Sequence, residues 1–232
     1  MIQISESDKF ALDTYDRALS ELHEHNHLKK RFPHEGQFPL LKAFFNDHKK
    51  IIQAQCGRSA GKTECNLYIA WRFAITNPGS EIYIICPEID QAKRIYWTSG
   101  RLQSYGPQSF VEDTLSRDLI VQFKNGSYIA LGGAKNYESL RGIKPHLVIY
   151  DEFQHHARAF HVEVMEPNLA NKACKLIITG TPPKRDCFYV EFYNHHRQAI
   201  MLGDDSRFYL ELPTWANPTQ DYEWLMKKKE EL

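Results

Sequence analysis

Three short stretches of this sequence carry side chains that could bind and cleave a phosphate anhydride. Residues 57–63 read GRSAGKT, residues 147–152 read LVIYDE and residues 177–183 read IITGTPP. Each follows or ends an apolar run, so each is expected at the end of a buried strand. A lysine beside small residues, two adjacent carboxylates and a pair of hydroxyls are the groups that phosphate binding and hydrolysis require.

Residues 57–63, here called the phosphate loop, match the end of the phosphate-binding pattern G-x-x-x-x-G-K-[ST]. Cys56 stands at the first glycine of that pattern and Gly57 comes one residue late, so the match is degenerate. Small residues let backbone N–H groups turn inward around an anion, and the helix that follows directs its N-terminus to the same point. Lys62 would reach the β- and γ-phosphates, and the Thr63 hydroxyl would ligate Mg²⁺. The predicted nucleotide-binding residues of this loop are Gly57, Arg58, Ser59, Ala60, Gly61, Lys62 and Thr63. The alternative, a glycine-rich turn with a solvated lysine, is disfavoured by the flanking strand and helix.

Asp151 and Glu152, here called the acidic pair, end a nearly continuous apolar strand. Side chains at the carboxyl end of a parallel strand face the ligand crevice. Asp151 would hold Mg²⁺ directly or through water, and Glu152 would take the proton of an attacking water. A solvated strand end is the ordinary interpretation of two adjacent acids, but the phosphate loop upstream favours the catalytic one.

Thr179, Gly180 and Thr181, here called the hydroxyl turn, end the next apolar strand. Hydroxyls at this position can touch a γ-phosphate or its water. Taken alone, the segment would be interpreted as a plain turn, because glycine and proline interrupt regular structure.

Alternating strands and helices form the predicted scaffold for these stretches. Strands are predicted at residues 50–55, 81–87, 146–152, 174–183 and 207–213, and helices at 5–30, 40–45, 63–76, 89–105, 186–199 and 220–232. Residues 118–133 predict a β-hairpin that turns at Asn125 and Gly126. The alternation predicts an α/β fold, with a doubly wound, mainly parallel sheet flanked by helices and an inserted hairpin.

Composition excludes several classes of protein. The chain has 232 residues, with 29 basic and 29 acidic side chains, so its formal net charge is zero. The net charge therefore gives no sign of nucleic-acid binding. A basic patch on one face of the protein is still compatible with this composition. Five dispersed cysteines form no CxxC pair and indicate reduced, mostly buried thiols in a cytosolic protein. The N-terminus is polar and the apolar runs are short, which indicates neither a signal peptide nor a membrane span.

The three stretches, in this order and followed by TWANP at residues 214–218, resemble the ATPase domain of a large terminase subunit. That family is the DNA-packaging motor of tailed double-stranded DNA bacteriophages. The resemblance covers roughly residues 30 to 225 and implies a P-loop NTPase of the RecA/ASCE-like type. It implies an N-terminal helical extension (1–36), a P-loop ATPase domain (37–215) and a C-terminal helical linker (216–232). No acidic triad beyond the acidic pair is visible, so nuclease activity is not expected from this chain.

The resemblance also implies roles for individual residues. Arg58 matches an arginine of the Walker A loop that senses or stabilises the γ-phosphate in cis, and the acidic pair matches Walker B and the catalytic glutamate. The hydroxyl turn matches the coupling motif, which links hydrolysis to movement. Gln37 is the candidate for a glutamine that contacts adenine. Arg141, in ESLRG at residues 138–142, is the candidate finger for a neighbour's ATP. A surface arginine remains an equal alternative for Arg141.

Cofactors and partners follow from the same resemblance. The expected cofactors are ATP and Mg²⁺, and the expected nucleic-acid partner is double-stranded DNA, bound independently of its sequence. The expected assembly is a homo-oligomeric ring, a pentamer when assembled, with the portal protein and the small terminase subunit. It would work in the host cytoplasm, transiently at the procapsid portal vertex, without a membrane.

Two other functions remain open at this level. A helicase-type ATPase would need a second similar domain, and a non-hydrolysing nucleotide-binding module would not need Glu152.

HEHNH at residues 23–27 matches a zinc-protease pattern, but no third ligand follows, so a solvated helix is favoured. QAKRIYW at residues 91–97 is either a DNA contact or, as favoured here, a helix with a buried Ile95/Tyr96 face. The pairs at residues 155–156 and 195–196 are interpreted as polar surface.

Overall fold

One mixed sheet organises the computed structural model, which describes residues 6–28, 31, 33–183 and 186–230. Within these residues the strands are β1 (Ile51–Cys56), β2 (Glu81–Cys86), β3 (Val111–Leu115), β4 (Ile120–Phe123), β5 (Tyr128–Gly133), β6 (Leu147–Tyr150), β7 (Lys175–Gly180) and β8 (Arg207–Leu212). They are ordered β3-β4-β5-β2-β6-β7-β1-β8. Pairing is antiparallel from β3 through β5 and parallel elsewhere. The α/β fold, with a mainly parallel sheet and an inserted hairpin, is therefore confirmed.

Helices cover both faces of this sheet. They are α1 (Glu6–Leu28), α2 (Phe38–Leu41), α3 (Lys62–Thr76), α4 (Ile89–Ala92), α5 (Arg158–Phe160), α6 (Glu166–Leu169), α7 (Phe188–Met201) and α8 (Tyr222–Glu230). Wide π-turns prolong α2 over Lys42–Asn46 and α4 over Lys93–Trp97, and a third over His161–Met165 joins α5 to α6. Short 3₁₀ turns include Glu35–Gln37, Phe153–His155 and Thr214–Ala216.

The strand order places three loops at one edge of the sheet. β7 lies between β1 and β6 and is parallel to both. The carboxyl ends of parallel strands meet at the same edge, so the segments after β1, β6 and β7 converge there. These segments are the phosphate loop, the acidic pair and the hydroxyl turn.

Three elements differ from their predictions. The helix predicted over residues 89–105 ends at Trp97, and Gly100 follows in the left-handed region at φ 68°. β3 was not predicted, because it is a partly exposed edge strand whose VEDTL sequence has no apolar alternation. The helical region from α5 to α6 was missed because Pro167 and two valines weaken its helical signal.

The predicted domain boundaries at residues 36 and 215 stay predictions. α1 packs on α3, since Leu22 is fully buried and the His23 and Tyr68 side chains are 2.7 Å apart. Residues 1–5, 29, 30, 32, 231 and 232 of the predicted extension and linker lie outside the described residues.

In the described ranges no group of three or more His, Cys, Asp or Glu side chains forms a metal site, so HEHNH gains no support as a zinc site. Nor does any helix in them have the length and apolar character that crossing a bilayer requires.

Histidines contribute to the core on the α5–α7 face, which corrects the interpretation of both histidine pairs as polar surface. His156 and His196 are buried, and only their neighbours in sequence are exposed. His156 lies against the Tyr150 ring and His161 against Phe192. Burial lowers the pKa of His156 and of His161 from 6.5 to about 4, so both imidazoles are neutral in the folded protein at neutral pH.

These two neutral histidines predict a loss of stability on acidification. Between pH 6.5 and about 4 the unfolded chain takes up protons that His156 and His161 refuse in the fold, so the free energy of unfolding falls as the pH falls. We expect about 3 kcal/mol per histidine from a shift of this size. Urea unfolding at several pH values would measure it. The slope should decrease in His161→Gln and persist in His195→Gln, which alters an exposed histidine; equal slopes in all three proteins would contradict the assignment.

Candidate functional site

The phosphate loop leaves β1 and turns sharply into α3. Ser59 and Gly61 have positive φ, 58° and 87°, and α3 begins at Lys62. Positive φ suits glycine, and here it aims the start of α3 at the open space above the loop. The loop is therefore shaped to bring backbone N–H groups and the N-terminus of a helix of 15 residues to one point.

Neighbouring segments hold the phosphate loop from outside. Gln37 is buried, and its Nε2 donates to Gly61 O at 2.9 Å while its Oε1 accepts from His34 N at 3.2 Å. On the other side, Asn217 Nδ2 donates to Ser59 O at 2.7 Å. Both side chains bind carbonyl groups of the loop, whereas the N–H groups of Gly57 and Ala60 already donate to backbone carbonyl groups. Gln37 thus lies behind the loop, and contact with adenine stays a prediction for it.

The acidic pair occupies two different environments. Asp151 is only 1% exposed, and its carboxylate accepts hydrogen bonds from Tyr96 Oη at 2.7 Å and from Glu152 N at 3.1 Å. The Thr179 hydroxyl lies 3.2 Å from the same carboxylate. Glu152 adopts a left-handed backbone, φ 54°, which turns its side chain out of the strand direction. The pair therefore offers one buried and one accessible carboxylate.

Lys62 joins the three predicted stretches. Its Nζ lies 3.1 Å from Glu152 Oε1 and donates to Thr181 Oγ1 at 3.1 Å, and its side chain is 11% exposed. Lys62, Glu152 and Thr181 line a cleft of about 1050 Å³. The predicted residues that line it are Arg58, Ser59, Ala60, Gly61, Lys62, Thr63, Glu152 and Thr181. Gly57, Asp151, Thr179, Gly180 and Arg141 are not among its lining residues.

The two carboxylates differ in their proton affinity. Burial raises the pKa of Asp151, against the opposing effect of the hydrogen bond from Tyr96. Burial also acts to raise the pKa of Glu152, but the hydrogen bond from Gln154 and the charge of Lys62 outweigh it, so that pKa is lowered. Glu152 is therefore ionised at neutral pH, and an ionised carboxylate beside an open cleft can accept a proton.

The oxygen atoms at the cleft fit a magnesium ion bound together with phosphates. Mg²⁺ prefers oxygen ligands and is usually held by one or two carboxylates, waters and phosphate oxygens. Thr63 follows Lys62 in the first turn of α3 and lines the cleft, so its hydroxyl is a candidate oxygen ligand. Asp151 already accepts hydrogen bonds at both carboxylate oxygens, so it fits best as a ligand that acts through water.

Tyr96 and Gln154 belong to the site, and the sequence analysis missed both. Tyr96 was interpreted as a core residue. It is fully buried, and its hydroxyl donates a hydrogen bond to the Asp151 carboxylate. Gln154 contacts both Glu152 and Thr181. Its position two residues after the acidic pair was the available signal, whereas nothing in the sequence links Tyr96 to a residue 55 positions away.

Removing the Tyr96 hydroxyl should destabilise the protein. Tyr96→Phe leaves a fully buried carboxylate without one donor, and we expect the free energy of unfolding to fall by about 1.5–3 kcal/mol, since hydrogen bonds to charged groups are the stronger class. Tyr105→Phe is the matched control, because that hydroxyl lies 3.0 Å from the neutral carbonyl of Arg31 and should contribute about 1 kcal/mol. Urea unfolding measures both. An equal loss in the two variants would contradict a special role for the bond to Asp151.

Comparisons with known proteins agree with this geometry. The family model described as terminase large subunit, T4likevirus-type, N-terminal, matches residues 55–223. A comparison with curated proteins finds no match. Among solved structures, an arginine-to-alanine variant of the large terminase ATPase domain of Thermus phage P74-26 matches with a TM-score of 0.67 and 21% identity, covering 87% of this chain and 89% of that chain.

Two longer structures also match. The HK97 bacteriophage large terminase has a TM-score of 0.71 and 15% identity, covering 86% of this chain and 47% of that chain. A thermophilic bacteriophage large terminase in complex with ATP-gamma-S has a TM-score of 0.64 and 19% identity, covering 86% of this chain and 49% of that chain. This chain therefore spans about half the length of these two proteins, and at these identities the likeness shows the fold.

Proposed function

The chain belongs to the terminase large subunit family of the T4-like-virus type, as its N-terminal domain, and from this premise we propose that it is an ATP-hydrolysing motor domain that drives double-stranded DNA into a viral procapsid. The observation that carries the proposal is the 3.1 Å contact of Lys62 Nζ with Glu152 Oε1 at the nucleotide-sized cleft. A phosphate-binding lysine and a candidate base that share one crevice support hydrolysis better than binding alone.

ATP binding begins at the phosphate loop. Backbone N–H groups of the loop and the N-terminus of α3 receive the phosphates, and Lys62 moves from Glu152 to the β- and γ-phosphates. Arg58 is exposed beside the cleft and reaches the γ-phosphate from the same subunit. Structures of a thermophilic bacteriophage large terminase in complex with ADP and with ATP-gamma-S support nucleotide binding. Gln37 would contact adenine only if its side chain left the carbonyl of Gly61.

Hydrolysis follows once Lys62 has left Glu152. Glu152 accepts a proton from water, and the water oxygen attacks the γ-phosphorus in line as the bond to the bridging oxygen of ADP breaks. Arg58 and Lys62 stabilise the charge that collects on the phosphate oxygens. Thr63 and Asp151 would hold magnesium, which when bound neutralises charge on the β- and γ-phosphates. The hydroxyl turn then transmits the conformational change that accompanies hydrolysis to the rest of the domain.

Arg141 fits a role in trans better than one in cis. Its side chain is 54% exposed, pairs with Glu138 and Glu163, and lies outside the cleft of its own chain. An arginine so placed can stabilise ATP only in a neighbouring subunit, which supports a homo-oligomeric ring, here proposed as a pentamer on the portal. The small terminase subunit, the portal protein and the host cytoplasm belong to the same proposal.

Measuring phosphate release with and without DNA tests the proposed function. We expect turnover that rises with double-stranded DNA of any sequence and falls with salt, because phosphates are the contacted groups. ATP binding without turnover under all conditions would favour a non-hydrolysing module. Stimulation by single-stranded DNA alone would favour a helicase-type ATPase.

A further inference from the structure

Four residues at the cleft form a closed ring of polar contacts. Lys62 Nζ contacts Glu152 Oε1, and Gln154 Nε2 donates to the other oxygen, Glu152 Oε2. Gln154 Oε1 then accepts from Thr181 N at 3.1 Å, and Thr181 Oγ1 accepts from Lys62 Nζ at 3.1 Å. The ring therefore passes through the phosphate loop, the acidic pair and the hydroxyl turn. Within it, Gln154 makes both of the contacts that do not involve Lys62.

The backbone around Gln154 is shaped to hold its amide in this place. The left-handed conformation of Glu152 starts a 3₁₀ turn over Phe153–His155, which folds Gln154 back over β7. Gly180 leaves room for it, since a Cβ there would lie 2.7 Å from Gln154 Oε1 and 3.3 Å from Phe153 N. The glycine of the hydroxyl turn does not have positive φ, so close approach of Gln154 is a sufficient reason for it.

We propose that Gln154 is a positioning residue that orients Glu152 for catalysis and links it mechanically to Thr181. The inference rests on the proposed function and adds a component to it. When Lys62 moves to the phosphates, the two contacts that Lys62 makes in the ring open. The two that Gln154 makes remain, so Glu152 Oε1 becomes free for water while Oε2 stays held.

The same amide couples the base to the hydroxyl turn. A shift of Glu152 during proton uptake or product release pulls on Gln154, and Gln154 Oε1 carries that shift to Thr181 N at the end of β7. No second side chain in the described ranges bridges Glu152 and Thr181 without Lys62. Loss of Gln154 should therefore lower the rate of chemistry and uncouple it from DNA, and nucleotide affinity should be preserved.

Two substitutions at Gln154 test this bridge. Gln154→Met keeps the length of the side chain and loses both hydrogen bonds, so we expect kcat to fall on the order of 100-fold, as for a misplaced catalytic group. KM for ATP should stay within about threefold and stimulation by DNA should disappear. Gln154→Glu can still accept from Thr181 N but cannot donate to Glu152, which breaks the link at one end, so both kcat and the stimulation by DNA should fall.

Gln198→Met, at an exposed glutamine of α7, is the matched control and should behave as the wild type. Gly180→Ala displaces the Gln154 amide from the opposite side and should reproduce the loss of kcat. Thermal unfolding verifies that each variant folds, and binding of a fluorescent non-hydrolysable ATP analogue reports affinity without turnover.

The outcomes distinguish this inference from the proposed function. If the wild type turns over ATP and both Gln154→Met and Gly180→Ala keep its kcat and its stimulation by DNA, the inference is wrong and the proposed function stands. A parallel loss of analogue binding and of kcat would mean that Gln154 only supports the fold, which also overturns it. No turnover in the wild type, with or without DNA, overturns both.

Discussion

Glu152→Gln is expected to lower the rate of phosphate release by about 100- to 10,000-fold, the usual contribution of a general base. The substitution keeps the shape of the side chain and removes its capacity to accept a proton from water. ATP should still bind, because the phosphate loop and Lys62 remain in place. The variant should therefore hold ATP without using it.

Nucleotide binding and phosphate release, measured on the same protein, test this separation. Glu112→Gln makes the same change at an exposed position on β3 and should leave both quantities unaltered. Glu152→Asp keeps the charge but shortens the side chain, so an intermediate rate is expected. Retained hydrolysis in Glu152→Gln would assign the base to another residue.

Local patterns predicted the site because each of its parts is local. The phosphate loop, the acidic pair and the hydroxyl turn each end a short apolar strand, and parallel strands bring such ends to one edge of a sheet. In the structure, Lys62 Nζ of the first segment lies 3.1 Å from Glu152 Oε1 of the second. The spacing of strand, loop and helix along the sequence contains this geometry.

The supporting residues could not be predicted in the same way. Tyr96 reaches Asp151 and Asn217 reaches Ser59 across 55 and 158 positions of sequence. Such contacts depend on how α4 and the segment after β8 pack, which a single sequence does not specify. Burial of His156 and His196 was missed for the same reason, because a polar residue in a polar pattern gives no sign of being enclosed.

The degenerate start of the phosphate loop has a structural explanation. Cys56 is the last residue of β1, opposite Leu212 of β8, and is buried; burial raises the pKa of its thiol to about 12, so it is an inert core residue. The position that requires glycine is the next one. A Cβ on Gly57 would lie 2.5 Å from Thr214 Oγ1 and 2.6 Å from Thr214 N. The glycine is thus displaced by one residue because the TWANP segment packs there.

Arg58→Ala is expected to lower kcat by about 1,000-fold or more, the scale reported for an arginine that stabilises a transferring phosphoryl group. Arg58 is exposed beside the cleft and makes no side-chain hydrogen bond or ion pair with any residue in the described part of the chain. Its loss should therefore leave the free energy of unfolding unaltered. Arg58→Lys restores the charge without the planar guanidinium and should recover only part of the rate.

Arg58 and Arg141 can be told apart by mixing subunits. A cis arginine is needed only by the subunit that carries it, whereas a trans arginine is needed by its neighbour. A subunit with Glu152→Gln cannot hydrolyse ATP in its own cleft, but it still presents a normal Arg141 to its neighbour. Mixed with Arg141→Ala subunits it should restore hydrolysis, because the clefts of the Arg141→Ala subunits are intact and receive an arginine from the neighbour. Mixed with Arg58→Ala subunits it should restore none, since every cleft then lacks one of its own groups. Restoration in the second mixture would show that Arg58 acts across the interface.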